Sequence, residues 1–369
     1  SYFNMINKYI FSNKEFFSLN LDYFNHTNKN FKYKFSGKPN QSTILNNNIL
    51  KKLKLSKNDL NNKKINTQKK NLASSIQKIF ENKFEKIFKK INKINFSNNL
   101  VYAGGCALNS LANKKLYDSK LFKKIYIPYA PGDAGGAIGA ALVVTKKLNK
   151  KTNLSNLKTP FIGPRYNNDE IKKYINENND LKNYKVRFFK DKKKALKEIA
   201  LCIHKNEIIG FFNNKMEFGA RALGNRSILA NPCNPKIKEI INKKIKRREN
   251  FRPFAPAILY EKKKDWFYNS SHNPYMSSVE LIRKNKRKII PGVTHIDGTG
   301  RVETVTKEIN NDFYFLINEF KKLSNVPIIL NTSFNENEPI VMNPQHAIKC
   351  FLRTKMDRLL LNNYIISRN

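Results

Sequence analysis

Two short apolar runs, each followed by a glycine turn and then a helical stretch, constrain this chain most. Leu100-Val101-Tyr102-Ala103 meets Gly104-Gly105, and a helix starts near Ala107. Lys124-Ile125-Tyr126-Ile127 is broken by Pro128 and leads through Pro131-Gly132-Asp133-Ala134-Gly135-Gly136 into a small-residue helix over 137–148. Strand, turn and helix in succession predict an α/β fold, in which layers bury each other's apolar faces. Such turns aim backbone N–H groups and a helix dipole at whatever lies in front, an arrangement suited to phosphate. An ordinary tight βα turn has the same look.

The flanking segments divide the chain. Residues 1–65 are rich in asparagine and lysine, with poor periodicity, and are expected to be irregular with short strands at best. Leu72, Ile76, Ile79, Phe80, Phe84, Ile87, Phe88 and Ile91 then recur at three- and four-residue steps, the mark of a helix with one apolar face. Lys150–Lys158 (KKTNLSNLK) is polar and aperiodic and reads as a linker, giving domains over 1–150 and 159–369. Beyond it, helices and strands alternate again. Asn167 is placed to cap a helix, Tyr184–Phe189 and Glu207–Phe212 read as strands, and Lys192–His204 reads as a helix between them. Asn234-Pro235 should open a helix striped by Ile237, Ile240, Ile241 and Ile245. Val326–Leu330 reads as a strand, 345–354 as a helix and Arg358–Ser367 as a last strand.

Composition narrows the function classes. Lysine and arginine number 70 against 28 acids, a formal net charge of +42. The excess is lysine mixed everywhere with asparagine, as in Lys51–Lys70, a pattern that AT-rich coding produces without function. A nucleic-acid binder more often concentrates charge on one face with aromatics interleaved. Weak, non-specific nucleic-acid binding at low salt is the expectation. Four cysteines without CxxC spacing read as small core residues or free thiols, no apolar run approaches the ~18 residues of a membrane span, and no signal peptide is evident. A cytoplasmic location is therefore expected.

The chemistry-bearing residues cluster in Asn213–Pro256. Glu217, Arg221, Asn225, Arg226 and Ser227 sit among Gly219 and Gly224, and a basic helix leads into Arg252-Pro253-Phe254-Ala255-Pro256. Arginine offers a planar fork of donors suited to phosphate and carboxylate oxygens, and glycines let backbone approach a ligand. A solvated charged loop is the plain alternative. Pro291–Val305 adds a glycine turn from which Arg301 emerges into a strand, with His295 either a base or a structural residue. At the end of the Val326 strand, Asn331-Thr332-Ser333-Phe334-Asn335 either faces a pocket or closes a turn.

These residues also carry a resemblance. EFGARALGNRSIL and KRRENFRPFAP resemble the carbamoyltransferase family, the enzymes that O-carbamoylate antibiotics and nodulation factors, over about Asn71 to the C-terminus. The two glycine units resemble that family's actin-like ATP-binding domain. By that likeness Gly104, Gly105 and Asn109 approach nucleotide, and Asp133 is a ligand to a divalent metal, iron or magnesium. The partner histidines are not in this sequence, which implies a chain truncated at its N-terminal side. Residues 159–369 resemble the family's YrdC-like domain, which joins carbamoyl phosphate and ATP into carbamoyladenylate. There Lys246, Arg247 and Arg252 stand at basic nucleotide contacts, Ser333 and Asn335 at an SxN element, and Arg221 and Arg301 beside them. Ala220 replaces a customary proline, and Asn214-Lys215 stands where Gly-Arg is common. The resemblance implies transfer to a small hydroxylated acceptor. A relative that carbamoylates or threonylcarbamoylates an RNA nucleoside, or an inactive basic nucleic-acid-binding protein, are the alternatives.

Overall fold

The computed structural model describes residues 1–11, 18–25, 45–56, 66–94, 96–148 and 159–368. The linker expected at Lys150–Lys158 lies outside the described residues. The chain forms two compact units, one of Ser1–Leu100 with Lys115–Ile125, the other of Val101–Lys114 with Tyr126–Asn369.

The first unit is helical where sequence periodicity is poor as well as where it is strong. Helices Tyr2–Tyr9 and Asn47–Lys52 stand in the stretch expected to be irregular. Each is too short to show a stripe convincingly in sequence, and each is held by packing. Ile6, Ile49, Leu50, Leu53, Leu55 and Ile79 form their shared core. The long amphipathic helix runs Thr67–Ile94 and buries Ile79, Phe84 and Phe88.

Twelve strands are described. They are β1 (Asn99–Val101), β2 (Lys124–Tyr126), β3 (Lys185–Phe188), β4 (Ile209–Phe212), β5 (Arg226–Ala230) and β6 (Ala255–Leu259). β7 (Glu280–Leu281), β8 (Thr299–Gly300), β9 (Glu303–Val305), β10 (Ile328–Ser333), β11 (Arg358–Leu361) and β12 (Tyr364–Ser367) follow. Eight of them make one mixed sheet in the second unit, ordered β3-β12-β11-β4-β5-β10-β6-β9. β4–β11 and β6–β9 are parallel and the other pairs antiparallel, so the fold is α/β with a mixed sheet.

Local sequence explains the elements. Asn167 accepts from the Glu170 N–H while the Glu170 carboxylate takes the Asn167 N–H, a closed capping box that starts helix Asn168–Asn176. Helix Lys192–His204 buries Ala195, Leu196, Ile199, Ala200, Cys202 and Ile203, one stripe at helical spacing. The expected last strand is a hairpin: Asn362 takes φ 49 and turns β11 back as β12. Asparagine tolerates that left-handed geometry, and two adjacent asparagines break an otherwise continuous apolar run. The helix expected from Asn234-Pro235 begins later, at Ile237–Lys244, because Asn234 bonds the Lys236 N–H in a turn of its own.

Candidate active site

The loop between β4 and β5 is built from buried polar groups. Glu217 Oε1 accepts from the backbone N–H of Leu223 at 2.7 Å, Asn225 at 2.7 Å and Arg226 at 3.1 Å. The fully buried Arg226 guanidinium lies 3.5 Å from the Phe212 ring centroid. It donates to the carbonyls of Asn213, Asn225, Pro164 and Asn214. Burial draws its pKa down to about 10, against the opposing pull of Glu217. Gly224 has φ 92, and a Cβ there would stand 2.3 Å from the Phe313 ring, so only glycine fits. Glu217, Asn225, Arg226 and Ser227 are therefore buried rather than a solvated loop, and they hold the loop from inside.

That scaffold presents Arg221 to a cavity of about 670 Å³. Arg221, Lys238, Arg248, Arg252 and Arg301 line it, against one carboxylate, Asp297. Arg301 Nε donates to the Met276 carbonyl at 2.9 Å and Nη2 to the Leu108 carbonyl at 3.3 Å, so backbone rather than a carboxylate fixes its fork. Burial, then the charge of Arg221, brings the Arg301 pKa down to about 9. The Arg221 Nε is buried without a hydrogen-bond partner, and burial lowers its pKa too. Two guanidiniums desolvated side by side are a standing demand for an anion. Arg252 is half-exposed and pairs with Glu249 at 2.8 Å.

Ser333 lines the same cavity. Behind it, the buried Lys246 Nζ donates to Ser333 O at 2.6 Å, Asn335 O at 2.8 Å and Asn335 Oδ1 at 2.7 Å. Ser333 Oγ donates to Asn335 Oδ1 at 2.7 Å. Lys246 and Asn335 thus fix the turn that carries Ser333. Burial, then the charge of Arg248, brings the Lys246 pKa down to about 7. Arg247 turns the other way. Its φ is 44, and its guanidinium pairs with Glu336 at 3.0 Å.

His295 also lines the cavity, but its bonds are structural. The Thr299 hydroxyl donates to Asp297 Oδ1 at 2.7 Å, so at 3.1 Å it accepts from the His295 Nδ1–H. The His295 N–H donates to Thr299 O at 2.8 Å, closing the turn before Arg301. Burial lowers the histidine pKa.

The residues of the glycine units stand elsewhere in the same unit. Gly104 and Asp133 line a second cavity of about 510 Å³. Gly105 opens the short turn Gly105–Leu108, and Asn109 Oδ1 accepts from the Ala112 N–H at 3.1 Å. Among the described residues no group of three or more His, Cys, Asp or Glu side chains is gathered to hold a metal. Asp133 therefore lines its cavity without a metal-ligating set beside it among the described residues.

Comparisons with known proteins bear on what the arginine cavity is for. The sequence model described as Carbamoyltransferase N-terminus matches residues 13–142, and that described as Carbamoyltransferase C-terminus matches 200–368. This chain belongs to the carbamoyltransferase family. Within the family, it is 36% identical to an uncharacterized protein of Synechocystis sp., over 80% of this chain and 52% of that one. It is 35% identical to nodulation protein NolNO of Sinorhizobium fredii, over 82% of this chain and 44% of that one. The chain thus spans about half the length of the curated relatives it matches. Full-length HypF in its phosphate- and nucleotide-bound form superposes with a TM-score of 0.34 at 16% identity, over 50% of this chain and 23% of that one. That likeness is too slight to argue from.

The cavity also holds Arg248 and Lys238, which the sequence did not single out, and Asn331, which it left between facing a pocket and closing a turn. Arg248 donates from Nε to Asn242 Oδ1 at 2.7 Å and lies over the Phe254 ring. Lys238 donates to the Thr294 carbonyl at 3.0 Å. Asn331 sits on β10 two residues before Ser333. For Arg248 a signal existed. After the helix ends at Lys244, Arg247 and Arg248 compete for one direction, and only a left-handed backbone at one of them separates the two.

Proposed function

We propose that the arginine cavity activates a carbamoyl group, joining carbamoyl phosphate and ATP into carbamoyladenylate for transfer to a small hydroxylated acceptor. On this reading 159–369 acts as a YrdC-like domain. Residues 1–150 belong to an actin-like domain whose remainder lies in the longer relatives, with Gly104, Gly105 and Asn109 near nucleotide. The observation that carries the proposal is the pair Arg221 and Arg301, desolvated together in a cavity whose lining holds five cations and one carboxylate.

The chemistry asks for that imbalance. Water cleaves the phosphate from carbamoyl phosphate, leaving carbamate and inorganic phosphate. A carbamate oxygen then attacks the α-phosphate of ATP and pyrophosphate leaves. Both substrates are strongly anionic, so fixed cations must offset their repulsion and stabilise charge at the five-coordinate phosphorus. Arg301 and Arg221 are placed to do so. Arg252 and Arg248 serve the outer phosphates, and Ser333, on a turn locked by Lys246, swings its one O–H from Asn335 Oδ1 to a phosphate oxygen.

The test is carbamoyl-phosphate-dependent exchange of labelled pyrophosphate into ATP by the full chain. Exchange should occur, and Arg301→Ala should lower it by ~10²–10³, the typical worth of one preorganised donor to developing charge. Absence of exchange with the fold intact would remove the activation claim.

A further inference from the structure

Asn331 is a buried residue in the lining of the arginine cavity. Its Nδ2 donates to the Ala222 carbonyl at 3.2 Å and to Glu303 Oε2 at 2.7 Å. A backbone carbonyl can only accept, so the orientation of the amide is settled: nitrogen towards Ala222 and Glu303, oxygen away from them. That oxygen, Oδ1, is buried and has no hydrogen-bond partner. The cations around the cavity are all donors, and they suit the oxygens of a phosphate or carboxylate. They offer nothing to an N–H group. Asn331 Oδ1 is a buried acceptor among them left without a donor.

We propose that Asn331 reads the NH₂ of the carbamoyl group through Oδ1, and that Glu303 is the positioning residue that holds the amide in that orientation. The inference rests on the activation reading above and deepens it, from anion binding to the choice of acyl group. Carbamoyl and acetyl phosphates have the same size and charge and differ by NH₂ against CH₃. Cations cannot tell them apart; a fixed acceptor can. A methyl group leaves Oδ1 buried and unpaired, whereas an amide nitrogen satisfies it. An adenine amino group would also supply a donor. The carbamoyl nitrogen is favoured because it lies within a few bonds of phosphate oxygens, and Ser333 and Arg301 flank Asn331 and Glu303 at two residues' spacing.

Glu303 suits the positioning role. It sits on β9, is buried, and begins two residues after Arg301, so one segment sets both the anion contact and the amide. Burial, and then the nearby Glu217 charge, raises its carboxyl well above the usual range, although the Asn331 bond opposes this. Ionised or neutral, a carboxyl offers an oxygen that accepts from Nδ2.

The experiment uses two stable phosphonates, phosphonoacetamide and acetonylphosphonate, which differ only in NH₂ against CH₃, titrated calorimetrically into the full chain. The wild type should bind the amide roughly tenfold to a hundredfold tighter, the range for leaving a buried acceptor unpaired. Asn331→Leu should bring the two affinities together. Glu303→Gln, which keeps an accepting oxygen, should preserve the preference, and Glu303→Leu should weaken it while the ketone's affinity holds. Equal binding of both phosphonates by the wild type overturns the assignment but leaves the anion site standing, and it needs no variant to fold. A preference that survives Asn331→Leu overturns it as well. If neither phosphonate binds while the chain is folded, the activation reading falls and takes the inference with it.

Discussion

The Nζ of Lys246 lies 2.6 Å from the backbone oxygen of Ser333, a residue 87 positions further along the chain. A lysine expected to touch nucleotide is spent instead on the turn that presents a hydroxyl. Its remaining bonds go to Ser333 Oγ at 3.2 Å and to both oxygens of Asn335. Replacing it strands several buried acceptors at once.

Lys246→Met should therefore destabilise the fold by about 1–3 kcal/mol, the usual cost of a buried polar group left unpaired. Urea unfolding monitored by circular dichroism checks this. A variant as stable as the wild type would mean that the turn holds without the ammonium.

Neighbouring arginines should behave differently. Arg248 faces the cavity, whereas the half-exposed Arg247 pairs with Glu336. Arg248→Ala should cut carbamoyl-phosphate-dependent pyrophosphate exchange by ~10², the loss expected for one preorganised donor. Arg247→Ala should leave exchange near wild type and cost ~0–1 kcal/mol of stability, as an exposed ion pair does. The reverse order would place the site on the other side of the backbone turn.

Acid sensitivity should be traceable to Asp312. Its Oδ2 takes Lys192 Nζ at 2.6 Å and the amides of Asn213 at 3.1 Å and Asn214 at 2.7 Å. Burial works to raise its pKa, but the Lys192 charge and these bonds outweigh it and hold it below the ordinary 3.8. The folded state thus binds this proton more weakly than the unfolded chain. The stabilisation is complete at neutral pH and is lost as pH falls through the folded value. Asp312→Asn should cost about 1–3 kcal/mol at neutral pH and flatten the decline in stability below about pH 4. Unfolding curves for both proteins across that range decide it.

The lysine excess has its own test. If it carries no specific role, affinity for random duplex DNA should fall by ~10³ or more between about 50 and 200 mM salt, as counterion release dictates. Binding selective for RNA that persists at ~200 mM salt would favour an RNA-nucleoside substrate over a small hydroxylated acceptor.

What the chain determines alone is local. The capping box at Asn167 and Glu170, the stripe of helix Lys192–His204 and the apolar run of β10 are interactions among near neighbours, so spacing exposes them. Family motifs around Arg221 and Ser333 likewise marked the region of the cavity. Tertiary structure decided which polar groups face it. Arg221 and Arg226 look alike in sequence, yet the first lines the cavity and the second is buried against Phe212. Arg247 and Arg248 part through one left-handed residue. Asn331 acquires its fixed orientation from Ala222, 109 positions away, and Glu303, 28 away. A side chain's burial and its counter-charge are set by strands brought together from distant segments, and no pattern along one strand encodes what its neighbours across the sheet will be.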